Sequence, residues 1–415
     1  MNTKNKTHSL NINVQINKAS TSYNRKIYLD NSATTKPKKE VVDAMLPYLY
    51  DKWHNPSSLY SPSKEVKKDI ENVRKKVAET INAKPNEIFF TSSGSESNNW
   101  AIQGLANTMK DFGYDYFDVF TSNLEHKSIL DCLKNNYYIH WHTSDNDDKG
   151  IINIEDLDTY IFESRFNKES DSIYKYFLIS MQYANNEIGT IQPIKEISKY
   201  INDFTFLHTD AVQAYGHIPI DVKDLGVDML SGSGHKIGTP KGIGFLYINE
   251  RIQNYIKPLI YGSQENGLRG GTENVPYIIG LGKAIDLISY DNTNLINKRK
   301  YFEQELIKIG FKINGADNKL PNNISATYKS PPINFTNEAL IYFLDMFGIY
   351  ISSGSACNSN EIKPSHVLKS IGLNDEDIMR TIRITLPPEI TKEEIDYVIK
   401  KIKECIEIMK LQSFE

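Results

Sequence analysis

Thr205-Phe-Leu-His-Thr-Asp210-Ala-Val-Gln213 opens on a short apolar run and ends on an acid; Met229-Leu-Ser-Gly-Ser233-Gly-His235-Lys236 repeats that pattern and ends on a lysine. Pro240-Lys-Gly-Ile-Gly244 then leads into Phe245-Leu-Tyr-Ile248. Apolar runs of this length, bounded by Gly, Pro and polar residues, predict buried strands, here at 205–208, 229–231 and 244–248. Upstream, the same pattern predicts strands at 87–91, 116–121 and 176–182. Helical spacing at 63–81, 96–109 and 194–201 falls between several of them. Strands alternating with helices predict an α/β fold whose mostly parallel sheet is covered on both faces. Such sheets bind ligands beyond the carboxyl ends of their strands, and Asp210 and Lys236 both fall near such ends.

Downstream, a charged helical stretch at 294–309 leads to a second region. That region ends in a helix at 392–411, with Ile395, Val398, Ile399, Ile402 and Ile406 at helical spacing. A chain of 415 residues accommodates two domains of ordinary size. Hydrophobic content of 40% and charged content of 24% fit a soluble globular protein. A net charge of -4 provides no global attraction for nucleic acid or an anionic membrane. No apolar run is long enough to span a bilayer; 211–220 is interrupted by Gln213, His217 and Pro219.

Residues 1–26 are rich in Asn, Lys, Ser and Thr and contain no acid, which predicts a disordered basic tail. A cytoplasmic protein is expected, with a mitochondrial or mitochondrion-related location as the alternative if the tail is a presequence. The three cysteines, Cys132, Cys357 and Cys405, are odd in number and form no C-x-x-C pair. Neither a disulfide framework nor a zinc site is expected, and a reducing compartment follows.

Four clusters carry candidate chemistry. Phe90-Thr-Ser-Ser-Gly94-Ser95-Glu96 runs from a strand end into a helix start, where backbone N–H groups and hydroxyls can cradle a phosphate. Alone, it reads as an ordinary Ser-capped helix. Lys236, set among glycines beside His235, suits a desolvated amine that forms a Schiff base, with Ser233 and His235 placed to hold a phosphate; alone, it is a basic turn residue. Asp210 can pair with a buried cationic ring nitrogen, and reads equally well as a helix N-cap. Ser352-Ser-Gly354-Ser-Ala-Cys357-Asn-Ser surrounds a thiol with small hydroxylated residues, which suggests a reactive cysteine on an exposed loop.

Together these stretches resemble the cysteine desulfurases, within the fold-type I pyridoxal-phosphate enzymes. The resemblance extends from Ile27 to about Ile408 and includes Tyr28-Leu-Asp-Asn-Ser-Ala-Thr-Thr35, Asn55-Pro-Ser-Ser58, Glu125-His126-Lys and Asn185-Asn186-Glu-Ile-Gly189. Ser233-Gly-His-Lys236, Arg269-Gly-Gly-Thr272-Glu-Asn and the Cys357 loop complete it. The loop is similar to that of the first class, which serves nitrogen fixation and iron–sulfur assembly. The Arg-x-Gly-His-x-Cys setting of the second class is absent.

The resemblance implies a seven-stranded, mostly parallel sheet in a large domain at 38–292. A smaller α+β domain, from 27–37 and 293–415, would carry the cysteine loop. It implies pyridoxal 5'-phosphate as cofactor, bound to Lys236 as a Schiff base, with His126 stacked on its ring and Asp210 on its nitrogen. Gln213 and Asn186 would contact the phenolic oxygen or the substrate. Gly94, Ser95, Ser233 and His235 would hold the phosphate, and Thr272 would reach the phosphate of a neighbouring subunit in a homodimer. Arg383 would bind the carboxylate of L-cysteine as a bidentate fork. Cys357 would take the sulfur as a persulfide, leaving L-alanine, and is also a candidate ligand for a transferred iron–sulfur cluster. No resident metal is implied.

The sulfur acceptor would be an iron–sulfur scaffold protein or another carrier, with tRNA thiolation as a further outlet. Thr239, Ser263 and Gly270 depart from the usual loop residues. The sequence ends at Glu415 without the longer tail many housekeeping members use to hold a scaffold, which leaves that docking open. A selenocysteine lyase, an aminotransferase or another fold-type I enzyme is the competing class, and Cys357 is what separates it from a desulfurase.

Overall fold

The computed structural model describes residues 26–166, 176–330, 335–354 and 364–412. Cys357 and all of the tail except Lys26 lie outside the described residues. In chain order the strands are β1 (Ile27–Tyr28), β2 (Ile88–Thr91), β3 (Phe117–Ser122), β4 (Ile139–Ser144), β5 (Phe177–Gln182) and β6 (Thr205–Asp210). They continue with β7 (Met229–Ser233), β8 (Gly244–Ile248), β9 (Phe311–Asn314), β10 (Asn323–Tyr328), β11 (Ile349–Tyr350) and β12 (Thr381–Thr385).

Seven of them form one sheet in the order β2-β8-β7-β6-β5-β3-β4. β8 pairs antiparallel with β2 and β7, and the other pairings are parallel. This is the expected α/β architecture. Alternate residues of each strand enter opposite cores. Ile88, Phe90, Ile179, Leu207, Phe245 and Tyr247 face one way. Phe89, Val119, Leu178, Phe206, Leu246 and Ile248 face the other. Burial on both faces explains why these strands read as continuous apolar runs.

Two strands run past their expected ends. β6 continues to Asp210 and β7 to Ser233, because the ladder still pairs Asp210 with Ser231 and Ser233 with Gly244. Their polar residues are buried, so the site is built directly on strand termini. β4 was not expected from the sequence. It is an edge strand whose His140, Trp141 and His142 are exposed, which hides the apolar signal. The helix expected at 194–201 is a short α-turn, Ile194–Ile197, followed by a 3-10 turn to Tyr200.

A second core unites β9, β10 and β12, an antiparallel sheet in the order β12-β10-β9, with the helices Thr293–Lys308, Asn337–Asp345 and Lys392–Gln412. Ile27 and Leu29 belong to this core, and β1 pairs with β11. The chain then leaves β1 and crosses to the large sheet, where Thr35 N–H bonds the His235 carbonyl at 2.9 Å and Lys38 N–H the Gly238 carbonyl at 3.0 Å. Leu124 and Ile188 from the large sheet's loops pack with Val367, Leu368 and Ile371 in a smaller cluster. No helix among the described residues is long and apolar enough to cross a membrane.

Candidate active site

The end of β2 turns into the helix Gly94–Asp111, whose N-cap Ser93 Oγ accepts from Glu96 N–H at 3.2 Å. Gly94 is required by close approach. A Cβ there would lie 2.4 Å from Val212 Cγ2 and 3.5 Å from Ser233 Cβ. The first cluster thereby meets the residues following β6 and the end of β7. Ser233 Oγ is buried and without a hydrogen-bond partner among the described residues. His235 Nδ1 lies 3.1 Å from Thr34 Oγ1. Burial, with Lys236 and Lys241 nearby, lowers the His235 pKa to about 4, so its imidazole is neutral near pH 7. Ser95 and His126 share the wall of a cavity of about 760 Å³.

Asp210 and His126 are joined by a chain of hydrogen bonds. Asn98 Nδ2 donates to Asp210 Oδ2 at 2.7 Å and to Ser128 Oγ at 2.9 Å. Ser128 Oγ lies 2.8 Å from His126 Nδ1, which also accepts from Ser128 N–H at 3.1 Å. A backbone N–H can only donate, so Nδ1 is an acceptor and a neutral ring carries its proton on Nε2. The second Asp210 oxygen accepts from Val212 N–H at 2.9 Å. Both oxygens are therefore fixed before any ligand binds.

Lys236 Nζ donates to the carbonyls of Ser32 and Ala33, the latter at 3.0 Å. Gln213 Nε2 reaches the same Ser32 carbonyl at 3.1 Å. The crossing segment after β1 thus lies over the lysine and ties it to the second core. Arg383 is almost fully buried; it donates to Asp30 Oδ1 and to the Gly354 carbonyl at 2.6 Å each, and to the Asn186 carbonyl at 3.3 Å. Its Nε has no partner among the described residues.

The structure therefore brings together Gly94, Ser233, Asp210, His126, Lys236, His235 and Gln213, and joins Arg383 to Asn186. Thr272 is exposed and lines a separate cavity of about 200 Å³ with Thr91, Ser92 and Arg269. Cys357 lies outside the described residues, whereas Cys132 and Cys405 are buried thiols.

Sequence reasoning missed Asn98 and Ser128, and it gave no role to Asp30 and Glu125, although both lie in the quoted stretches. The available signal for Asn98 was a polar residue on the apolar face of a helix. Glu125 is fully buried; Oε1 accepts from Gln182 N–H at 2.8 Å, while Oε2 has no partner among the described residues. Burial, reinforced by the nearby Asp210 charge, holds its carboxyl well above the usual range.

The cysteine desulfurase IscS of Methanosarcina thermophila is 41% identical over 406 residues, covering 94% of each chain. IscS of Clostridium botulinum strain Hall is 40% identical over 400 residues, covering 92% of this chain and 95% of its own. Among solved structures, a "NifS-like protein" superposes with a TM-score of 0.80 at 32% identity, covering 92% of this chain and all of its own. "SspA in complex with cysteine" superposes with a TM-score of 0.73 at 34% identity, covering 88% of this chain and 100% of its own. The profile of the aminotransferase class-V family matches residues 27–398, reaching into both cores, and the chain belongs to that family.

Proposed function

We propose that this site removes sulfur from L-cysteine, giving L-alanine and a persulfide on Cys357. The observation that carries this reading is the hydrogen-bonded chain from His126 through Ser128 and Asn98 to Asp210, close to a buried Ser233 hydroxyl beside Gly94 that has no partner among the described residues.

Pyridoxal 5'-phosphate, the cofactor of the family, fits these residues. Ser233 Oγ offers a hydroxyl with no competing partner among the described residues, and Gly94 begins a helix whose N-terminus favours an anion. Gly94, Ser95, Ser233 and the neutral His235 would hold the phosphate, Asp210 the ring nitrogen and Lys236 the aldehyde carbon. When bound, the cofactor supplies an electron sink that acidifies the substrate α-proton and labilises the bond to sulfur.

The remaining work falls to the chain itself. Lys236 moves the proton at the substrate α-carbon, and the Ser32 and Ala33 carbonyls mark where its amine rests. Asp210, fixed by Asn98 and Val212, keeps its charge aimed at one point instead of reorienting during the reaction. His126, oriented by Ser128, would stack against the ring, while Gln213 and Asn186 would contact its phenolic oxygen or the substrate. Arg383 binds the substrate carboxylate. The Cys357 thiolate attacks the substrate sulfur: a sulfur–sulfur bond forms as the Cβ–S bond breaks, and the carbon left behind takes a proton.

Two chains would form the working unit, with Thr272 of each reaching the partner's phosphate. The persulfide passes to an iron–sulfur scaffold protein or another sulfur carrier. The test is alanine and sulfide formation from L-cysteine, with a thiol reductant, by the wild type and by Cys357→Ala. The wild type should make both in equal amounts, and the variant should keep its cofactor absorbance yet make neither. A fully active variant would overturn the reading.

A further inference from the structure

Glu187 is buried, and nothing in the chemistry above uses it. It sits in a turn that holds itself, because Asn185 Oδ1 accepts from the N–H groups of Glu187 and Ile188 at 2.8 and 3.0 Å. The side chain therefore leaves a fixed backbone. Its Oε2 accepts from the Ser365 hydroxyl at 2.5 Å. The same oxygen lies against Gly354, where an added Cβ would sit 3.0 Å away and where φ is +104°, a conformation suited to glycine. Gly354 and Ser365 flank residues 355–363, which contain Cys357. One buried carboxyl group thus bonds Ser365 after that segment and occupies the space beside Gly354 before it.

Each side is also tied to the proposed site. Arg383 holds the Gly354 carbonyl at 2.6 Å and the Asn186 carbonyl at 3.3 Å. Ser365 caps the helix His366–Ser370 through Leu368 N–H at 3.2 Å. His366 Nε2 lies 3.0 Å from the carbonyl of Glu125, the neighbour of His126.

We propose that Glu187 is a positioning residue for the sulfur-transfer step. It fixes Gly354 and Ser365, the described residues on either side of the stretch that contains Cys357, relative to Arg383 on one side and the His126 loop on the other. The inference rests on the desulfurase reading. Attack on sulfur requires near-contact geometry, and an error of about 1 Å can cost on the order of 100-fold in rate. Proton movement at the substrate α-carbon needs Lys236 but not Cys357, so the two steps separate the role.

The test compares holoenzymes carrying Glu187→Ala, Glu187→Gln and Ser365→Ala with the wild type. Alanine formation from L-cysteine reports sulfur transfer. Exchange of the α-proton of L-alanine in deuterated water reports substrate binding and the Lys236 step without Cys357. Glu187→Ala should slow sulfur transfer about tenfold or more and leave α-exchange within about twofold of wild type. Glu187→Gln, which keeps the shape and an acceptor for Ser365, should lose less, and Ser365→Ala should lower sulfur transfer in the same selective way. Equal loss of both reactions in all three variants would show a merely structural role, and wild-type sulfur transfer in Glu187→Ala would equally overturn the proposal. A wild type that makes no alanine from cysteine would instead overturn the desulfurase reading beneath it.

Discussion

His208 lies fully buried in β6, with Ser180 Oγ 2.9 Å from Nδ1 and Ser231 Oγ 2.9 Å from Nε2. Among the described residues no carboxylate or carbonyl bonds the ring there, and burial lowers its pKa to about 3. An unfolded histidine titrates near 6.5, so between those values the unfolded chain binds a proton that the folded chain refuses. The stability linked to this group is complete above about pH 6.5 and is lost as pH falls toward 3, by roughly 1.4 kcal/mol per pH unit. The thermal midpoint of the holoenzyme should therefore fall between pH 7.5 and pH 5.5, and His208→Gln should show a shallower fall. An unchanged slope in the variant would assign the sensitivity elsewhere. Residues at this scale were unevenly legible. Asp210 and Lys236 stand out because a charged side chain follows an apolar run. Asn98 does not, because its value is the bond to Asp210, 112 residues away, and helical spacing cannot announce a contact across the sheet.

The elements were most legible where the hydrophobic pattern is continuous. β8 begins and ends where the sequence places it, since Phe245, Leu246, Tyr247 and Ile248 are all buried between two cores. β4 escaped because three exposed residues interrupt its pattern, and β6 and β7 were read short because buried polar residues end them. Those polar ends are the chemically useful part, so strand prediction stops where the site begins. The junction between β2 and the Gly94–Asp111 helix adds a steric requirement that composition does not reveal. Gly94→Ala places a methyl 2.4 Å from Val212 Cγ2, so either the helix start or Val212 must shift. Overpacking of this kind costs about 1–3 kcal/mol, and here it falls at the cradle proposed for phosphate. Titration of the apoprotein with pyridoxal 5'-phosphate, followed by absorbance, should show affinity weakened by about tenfold at that cost. Wild-type affinity would remove Gly94 from the phosphate site.

At the scale of the whole molecule, two cores share one site through the segment from Ile27 to Lys38. Its first residues pack in the second core, and its carbonyls then hold Lys236 at the end of the first. One chain still leaves a large apolar surface unburied. Leu46, Leu49 and Tyr50 on the helix Lys39–Tyr50, with Trp53, Leu59 and Tyr60 just beyond, are all more than half exposed; Tyr50 and Leu59 reach 86%. Scattered apolar residues on a surface need no explanation, but a run of them within fifteen positions of one helix and its following loop does. A second copy of the chain is the occupant that would also bring Thr272 of the partner subunit to the phosphate, since this chain's own Thr272 faces a separate cavity. Sedimentation velocity should find the wild type as a dimer. Leu49→Glu combined with Trp53→Glu would bury charges against apolar side chains, at a cost of several kcal/mol, and should shift the protein to a monomer. If Thr272 acts across the interface, that monomer should keep its fold by circular dichroism yet release pyridoxal 5'-phosphate more readily than the dimer. A monomeric wild type, or a monomeric variant with unchanged cofactor retention, would mean that each chain completes its phosphate site alone.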